Sequence, residues 1–207
     1  FDHVHAAENL DAIDHRRQDA HRQLVDLMQV LDDRAVHAPR PLDQSLGWRH
    51  QVPLSVHGRA TRDEILAAFG RLSFARRSSI REGVYFDRET NTDLFFVTLE
   101  KTEGHYSPST MYRDYAISPE LFHWESQSQT SLESETGQRY IHHRSRHTNV
   151  ILFVRHRKYE EGRTAAYTCL GPADYVSHKG SRPIAITWKL RHAMPDDFFR
   201  GARVAAG

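Results

Sequence analysis

Apolar and polar positions follow two different periods along this chain, and the change between them divides it. Leu24, Leu27, Met28 and Leu31 fall at the i, i+3, i+4, i+7 spacing of one helical face, and neither Gly nor Pro interrupts residues 1–35. Pro39 and Pro41 end that segment, and residues 36–52 read as a linker. The expected organisation is a helical connector and linker over residues 1–50 followed by one domain over residues 51–207. A second helix is predicted from Thr61. Thr61-Arg62-Asp63-Glu64 is a capping box, in which the hydroxyl accepts from an orphan amide and the carboxylate reaches back to the cap's own N–H. Ile65, Leu66 and Phe69 give its buried stripe, and Gly70 stops it.

From residue 83 the period becomes two. Val84-Tyr85-Phe86, Leu94 to Leu99, Val150 to Val154, Ala166 to Leu170 and Ile184 to Leu190 are short β runs, parted by Ser-Pro, Gly-Pro and Lys-Gly turn signals. In the last run Ile184, Ile186 and Trp188 alternate with Ala185, Thr187 and Lys189. No β-α-β alternation and no internal repeat is visible. The predicted class is α+β: a curled antiparallel sheet or open β-barrel with flanking helices, preceded by the N-terminal helical segment.

Composition narrows the function classes. Of 207 residues 39% are hydrophobic, enough for a core, and no window approaches the ~18 consecutive apolar residues of a membrane span. There is no secretory signal pattern, and the single cysteine, Cys169, excludes an internal disulfide and a thiolate-rich zinc site. A cytoplasmic setting is expected. The first residue is Phe1 rather than Met, which suggests a piece of something longer. The net charge of +1 conceals an uneven distribution: residues 1–35 sum to −4 and the remainder to +5. From Arg139 to Lys158 there are six Arg/Lys, four His and no carboxylate, and Gly70 to Arg81 adds four arginines without an acid. Such asymmetry permits a nucleic-acid partner, although most charge runs are solvated surface.

Residues 100–130 are unusual. Tyr106, Tyr112, Tyr115, Phe122 and Trp124 are interleaved with Ser, Thr, Arg, Asp, His, Glu and Gln, with few aliphatics for a plain core strand. Ser107-Pro108 and Ser118-Pro119-Glu120 read as cap-plus-first-turn pairs of short helical turns. Amphipathic rings beside carboxylates and amides suit a planar, hydrogen-bonding ligand; equally, such rings can bridge a wet core boundary.

The strings TDLFFVTLEKTEGHYSPSTMYRDYAISPELFHWESQSQTS, GQRYIHH, LGPADYVSHKGSRPIAITWKLRHAMP and ARVAAG closely resemble a bacterial domain of unknown function. That domain lies at the C-terminus of superfamily II (DEAD/DEAH-type) helicases, including the SauUSI-type type IV restriction enzymes. The resemblance covers roughly residues 50–207. It implies a modified-DNA reader inside an ATP-dependent enzyme active on DNA carrying 5-methylcytosine, where a phospholipase-D-like nuclease precedes the helicase. The expected partners are double-stranded DNA and the parent's helicase and nuclease domains, with a homodimer possible and no membrane.

Catalytic motifs are missing from the sequence. There is no G-x-x-x-x-G-K-[ST] phosphate loop and no H-x-K-x4-D signature, so ATP and Mg are expected elsewhere in a parent protein and no cofactor in this chain. Asp93 with Glu100-Lys101 approaches a PD-(D/E)xK nuclease, but adjacent Glu and Lys point to opposite faces of a strand. His142, His143 and His147 could attract a metal, yet Arg144 and Arg146 bring positive charge beside them. Cys169 reads as an inert core thiol, and no G-x-S-x-G elbow occurs. The reading is a non-catalytic DNA reader that flips one base. Arg139, Arg144, Arg146, Arg155 and Arg157, with Arg76 and Arg77, meet phosphates. Tyr106, Tyr112, Tyr115 and Trp124 wall the base pocket, and Asp114, Glu125 or Gln127 bonds the base edge. The alternative is a protein–protein docking or regulatory module without modification specificity.

Overall fold

A computed structural model of the chain describes residues 40–42, 46–48, 51–71, 83–100 and 114–204. The expected N-terminal helix lies outside the described residues, and the chain divides into two units at residue 38. The elements in chain order are β1 (Arg40–Pro41), β2 (Ser55–Val56), β3 (Arg59–Ala60), α1 (Arg62–Ala68), β4 (Val84–Asp87), β5 (Thr92–Thr98), β6 (Tyr115–Ser118) and β7 (Leu121–Glu125). They continue as α2 (Glu135–Ile141), β8 (Asn149–Arg155), β9 (Tyr159–Glu160), β10 (Arg163–Thr164), β11 (Tyr167–Lys179), β12 (Ala185–Leu190) and α3 (Asp196–Val204).

The main sheet runs β4-β5-β8-β11-β12-β7-β6, with β3 also paired to β11. It is α+β and curled, and it does not close into a barrel. One expectation is corrected: the sheet is mixed, because β5 and β8 pair in parallel from Thr92↔Asn149 to Thr98↔Arg155. The chain leaves β5, builds the β6–β7 hairpin at the far end of the sheet, and returns through α2 to lay β8 beside β5. A parallel pair needs a long crossover, and here a hairpin plus a helix supplies it.

The curl has a local cause. β11 pairs with β3 and β8 through its first half and with β12 through its second, with a register shift between Cys169 and Gly171. Gly171 sits there at φ +84°, and a Cβ would press on the Val56 methyls at 3.1 and 3.3 Å, so both conformation and space ask for glycine. The two halves of the sheet then face one another. Phe95 of β5 stacks on Trp124 of β7 with ring centroids 4.1 Å apart, and Trp188 of β12 meets Phe95 edge-on at 5.7 Å. Leu152, Val154, Phe122 and Ile186 complete this first core, with Met194, Phe198 and Ala202 from α3 and its approach.

The opposite side of β5 and β8 presents Leu94, Phe96, Ile151 and Phe153 to a second core, covered by Ile65, Leu66 and Phe69 of α1 and its C-terminus. The capping box of α1 forms as read: Thr61 Oγ1 accepts from the Glu64 N–H, and Glu64 Oε2 accepts from the Thr61 N–H at 2.7 Å. Leu42, Leu46 and Val52 are buried in the same core. The described part of the expected linker thus belongs to the packed domain. Cys169 is buried there too, its thiol pushed up to about 12 by burial, which suits the inert reading.

Candidate nucleic-acid interface

The residues marked for base recognition are separated by strand alternation. On β7, Phe122 and Trp124 turn into the core while Leu121, His123 and Glu125 face outward, half-buried. Trp124 is only 4% exposed, packed between Phe95 and Tyr140. The expectation that it walls a base pocket is therefore corrected: with Phe122 inward, period two commits Trp124 to the interior as well. Tyr115 is on the outer side. It pairs in register with His123, and the two rings stack with centroids 4.6 Å apart. His123 Nε2 lies 4.0 Å from Glu125 Oε1. Asp114 is buried, its Oδ1 accepting the Glu125 N–H at 3.0 Å, while Gln127 is exposed just past the strand. Tyr106, Tyr112, Arg76 and Arg77 lie outside the described residues. The second expected helical turn is also corrected: Ser118 Oγ accepts from the Glu120 and Leu121 N–H groups inside the β6–β7 hairpin, the same side-chain chemistry serving a turn.

The outer face continues across the next two strands. Register places Thr187 beside His123 and Lys189 beside Leu121. On the far side Ser177 is opposite Thr187, and Asp174 is opposite Lys189. Lys189 is exposed, and its strand neighbours Trp188 and Leu190 are core. A polar strip from Tyr115 to Asp174 thus crosses three strand spacings, roughly 15 Å.

At the Asp174 end stands the turn between α2 and β8. Its backbone is closed by the Arg146 N–H to the His142 carbonyl (3.0 Å), the His147 N–H to the Arg144 carbonyl (3.1 Å) and the Thr148 N–H to the His143 carbonyl (2.9 Å). His142, Arg144, Arg146 and His147 are exposed, whereas His143 is buried. The helix ends at Ile141 and His147 is left-handed at φ 53°, so His143 and His147 share no helical face for a metal. Arg144 Nη2 pairs with Asp174 Oδ2 at 2.8 Å, and Arg191 Nη2 reaches Asp174 Oδ1 at 3.2 Å. Burial alone would raise the Asp174 carboxyl; hydrogen bonds from both guanidinium groups more than reverse this and hold it at about 2. A groove of about 750 Å³ opens beside this turn, lined in part by Asn91, Arg144, His147, Asp174 and Arg191.

The remaining arginines of the basic run divide sharply. Arg139 closes a two-bond fork on fully buried Asp93, at 2.7 and 2.9 Å, and lies 4.1 Å from the Phe86 ring centroid. Arg155 follows Ile151 and Phe153 on the second-core side of β8; its Nε donates to Thr98 Oγ1 and its Nη1 to the Ala165 carbonyl, and its guanidinium covers Tyr167 at 4.4 Å. Both are corrected from phosphate contacts to internal partners, because each is held by a buried acceptor and a ring. Arg157 is exposed and paired with Glu100 at 3.0 Å. Arg146 has no side-chain partner among the described residues. Sequence reasoning missed Lys189 and Arg191, which lie outside the basic run. The inward alternation of Ile184, Ile186 and Trp188 was the available signal for Lys189.

His143 pins the turn to the sheet. Its Nε2 accepts the Tyr175 N–H at 3.0 Å, which leaves the proton on Nδ1, 3.3 Å from the Thr148 carbonyl. Burial keeps its pKa below the ordinary histidine value, against the hydrogen bond to Thr148 and the charge of Asp174. The native state then binds fewer protons than the unfolded chain, so the stabilisation is complete above about pH 6.5 and is lost as pH falls from there through the lower native pKa. Half-buried His156 acts in the same direction. Denaturation measured across this range is expected to show an acid limb that His143→Gln makes shallower; an unchanged limb in that variant would assign the slope to other groups.

Among the described residues, no group of three His, Cys, Asp or Glu is placed to hold a metal, and no helix is long and apolar enough to cross a membrane. Residues 54–202 match a domain of unknown function, DUF3427, and the chain belongs to that family. No curated protein matches it.

Proposed function

We propose that this DUF3427 domain is a non-catalytic DNA-binding module that recognises modified cytosine, with 5-methylcytosine the first candidate. In this reading it directs a cytoplasmic, ATP-dependent type IV restriction enzyme whose helicase and nuclease lie in other domains. The observation that carries the reading is the outer strip: the Tyr115–His123 stack beside Glu125 at one end, Lys189 on the adjacent strand β12, and the cations Arg144, Arg146 and Arg191 at the Asp174 end. Planar groups and a carboxylate suit a base, and the cations at the Asp174 end, roughly 15 Å across three strand spacings, suit phosphates of the same duplex. The resemblance of YSPSTMYRDYAIS and LFHWESQ to helicase-associated domains supports the same assignment.

The energetics set a condition. Flipping costs a few kcal/mol and stacking returns about 1–3 kcal/mol per base, so hydrogen bonds to the base edge supply the remainder. A cytosine methyl adds only ~0.8 kcal/mol of burial, so selectivity also needs a close apolar fit. The docking alternative draws on the exposure of Ile117 and Val176 in the same half of the sheet, which a protein partner would cover.

A binding titration separates these readings. Matched duplexes carrying cytosine, 5-methylcytosine or 5-hydroxymethylcytosine are titrated at two salt concentrations. Tyr115→Ala is expected to weaken the modified duplex selectively. Arg146→Ala is expected to weaken every duplex alike and to lower the salt slope by about one. Equal affinity for all three duplexes would remove modification reading, and no binding to any would leave docking.

A further inference from the structure

Asp174 is an acid in the middle of a surface assigned to phosphates, and its two ion pairs say what it does there. Arg144 approaches from the α2–β8 turn with Nε at 3.1 Å from Oδ1 and Nη2 at 2.8 Å from Oδ2. Arg191, beyond the end of β12, approaches with Nε at 3.3 Å from Oδ2 and Nη2 at 3.2 Å from Oδ1. One carboxylate thus fixes two planar forks by their Nε edges. Nη1 of each guanidinium has no partner among the described residues, and both arginines line the 750 Å³ groove with Asn91 and His147. The Arg144 side chain is 70% exposed, so without the carboxylate little would hold its long stem in one rotamer. Asp174 itself is fixed by β-sheet register opposite Lys189.

We propose that Asp174 is a positioning residue that sets Arg144 and Arg191 as a two-guanidinium receptor for a DNA backbone phosphate in this groove. The proposal rests on the DNA-binding reading and deepens it. Each guanidinium keeps donors for a second acceptor after binding the carboxylate, and a tetrahedral phosphate with several oxygens can take donors from both. The side chain that lowers the local positive charge is also the one that makes the remaining charge directional.

The sign of one substitution decides the matter. By charge alone, Asp174→Asn removes a repulsion and should tighten every duplex. As a positioning residue, its replacement by an amide costs each fork one of its two bonds and the charge attraction, loosening both arginines, and the expected result is weakening on the order of tenfold for modified and unmodified duplexes alike. The measurement is fluorescence anisotropy with labelled duplexes that differ only at one cytosine. The same substitution is repeated in an Arg144→Ala/Arg191→Ala background, where it should no longer weaken binding because the groups it orders are gone. Tighter binding by Asp174→Asn overturns the proposal. So does equal weakening in both backgrounds, which would make Asp174 a general determinant of the fold. Both outcomes leave the DNA-binding reading standing. A wild-type chain that binds no duplex overturns both.

Discussion

Trp124→Ala is expected to cost about 3–5 kcal/mol of folding stability, the range for truncating a large buried ring. The indole has Phe95 stacked on one face and Tyr140 meeting it edge-on, and it is one of the contacts by which the two halves of the curled sheet hold together. Against a typical domain stability of roughly 5–15 kcal/mol, this loss can bring the chain close to unfolding at ordinary temperature. Trp124→Phe keeps a ring against Phe95 and should recover a good part of the loss. Chemical denaturation of the three proteins measures it. The folded fraction of Trp124→Ala should show no change in preference among the three duplexes, since the ring touches nothing outside the core. A Trp124→Ala protein with wild-type stability that fails to distinguish methylated DNA would return the ring to the recognition site.

Segment 100–130 shows how far the sequence could be read and where reading stopped. Its richness in rings and polar groups is real, but composition does not say which ring faces which way. The β6–β7 hairpin makes that decision, and its turn carries a Ser-Pro that reads equally well as a helix start. Once β7 is recognised as a strand, His123 and Glu125 outward and Trp124 inward follow from period two alone. Gly171-Pro172 misled in the same manner. A Gly-Pro pair is a fair turn signal, yet here it is the bend inside one continuous strand that feeds both halves of the sheet. The parallel β5–β8 pair was hidden for another reason. It joins residues 57 positions apart with the whole hairpin and α2 between them, and no local pattern encodes such a partnership. By contrast, α1 was legible to the residue, because a capping box and a Gly stop act over a few neighbouring positions.

The basic run from Arg139 to Lys158 was legible as charge and illegible as surface. Arg146 and Arg144 stand on an exposed turn, while Arg139 and Arg155 sit where buried acceptors need them. The acid that claims Arg139 lies 46 positions away, and the carboxylate that holds Arg144 lies 30 away. Neither pairing leaves a trace in local spacing. The cationic face is consequently smaller than the sequence suggests and is completed from elsewhere, by Lys189 on β12 and Arg191 just beyond it.

That distinction gives the second large effect. Arg139→Ala is expected to destabilise the fold by about 3–5 kcal/mol, because it leaves Asp93 without its counter-ion at a fully buried position. Burial already pushes the Asp93 carboxyl above its ordinary range, and the Arg139 fork opposes that push. Without the fork the acid escapes the penalty by taking up a proton in the folded state. The native pKa of the variant then lies above the unfolded value of about 3.9, so its stability falls as pH rises through that raised pKa and is regained on acidification. The deficit against wild type should therefore be largest at neutral pH and shrink toward acid, a trend opposite to the acid loss expected from His143. A double variant, Asp93→Leu with Arg139→Met, removes both charges and should recover much of the stability at neutral pH. If Arg139 were a phosphate contact instead, Arg139→Ala would denature like wild type at every pH and lose affinity for all duplexes together. Paired denaturation and binding curves on the same preparation separate the two cases.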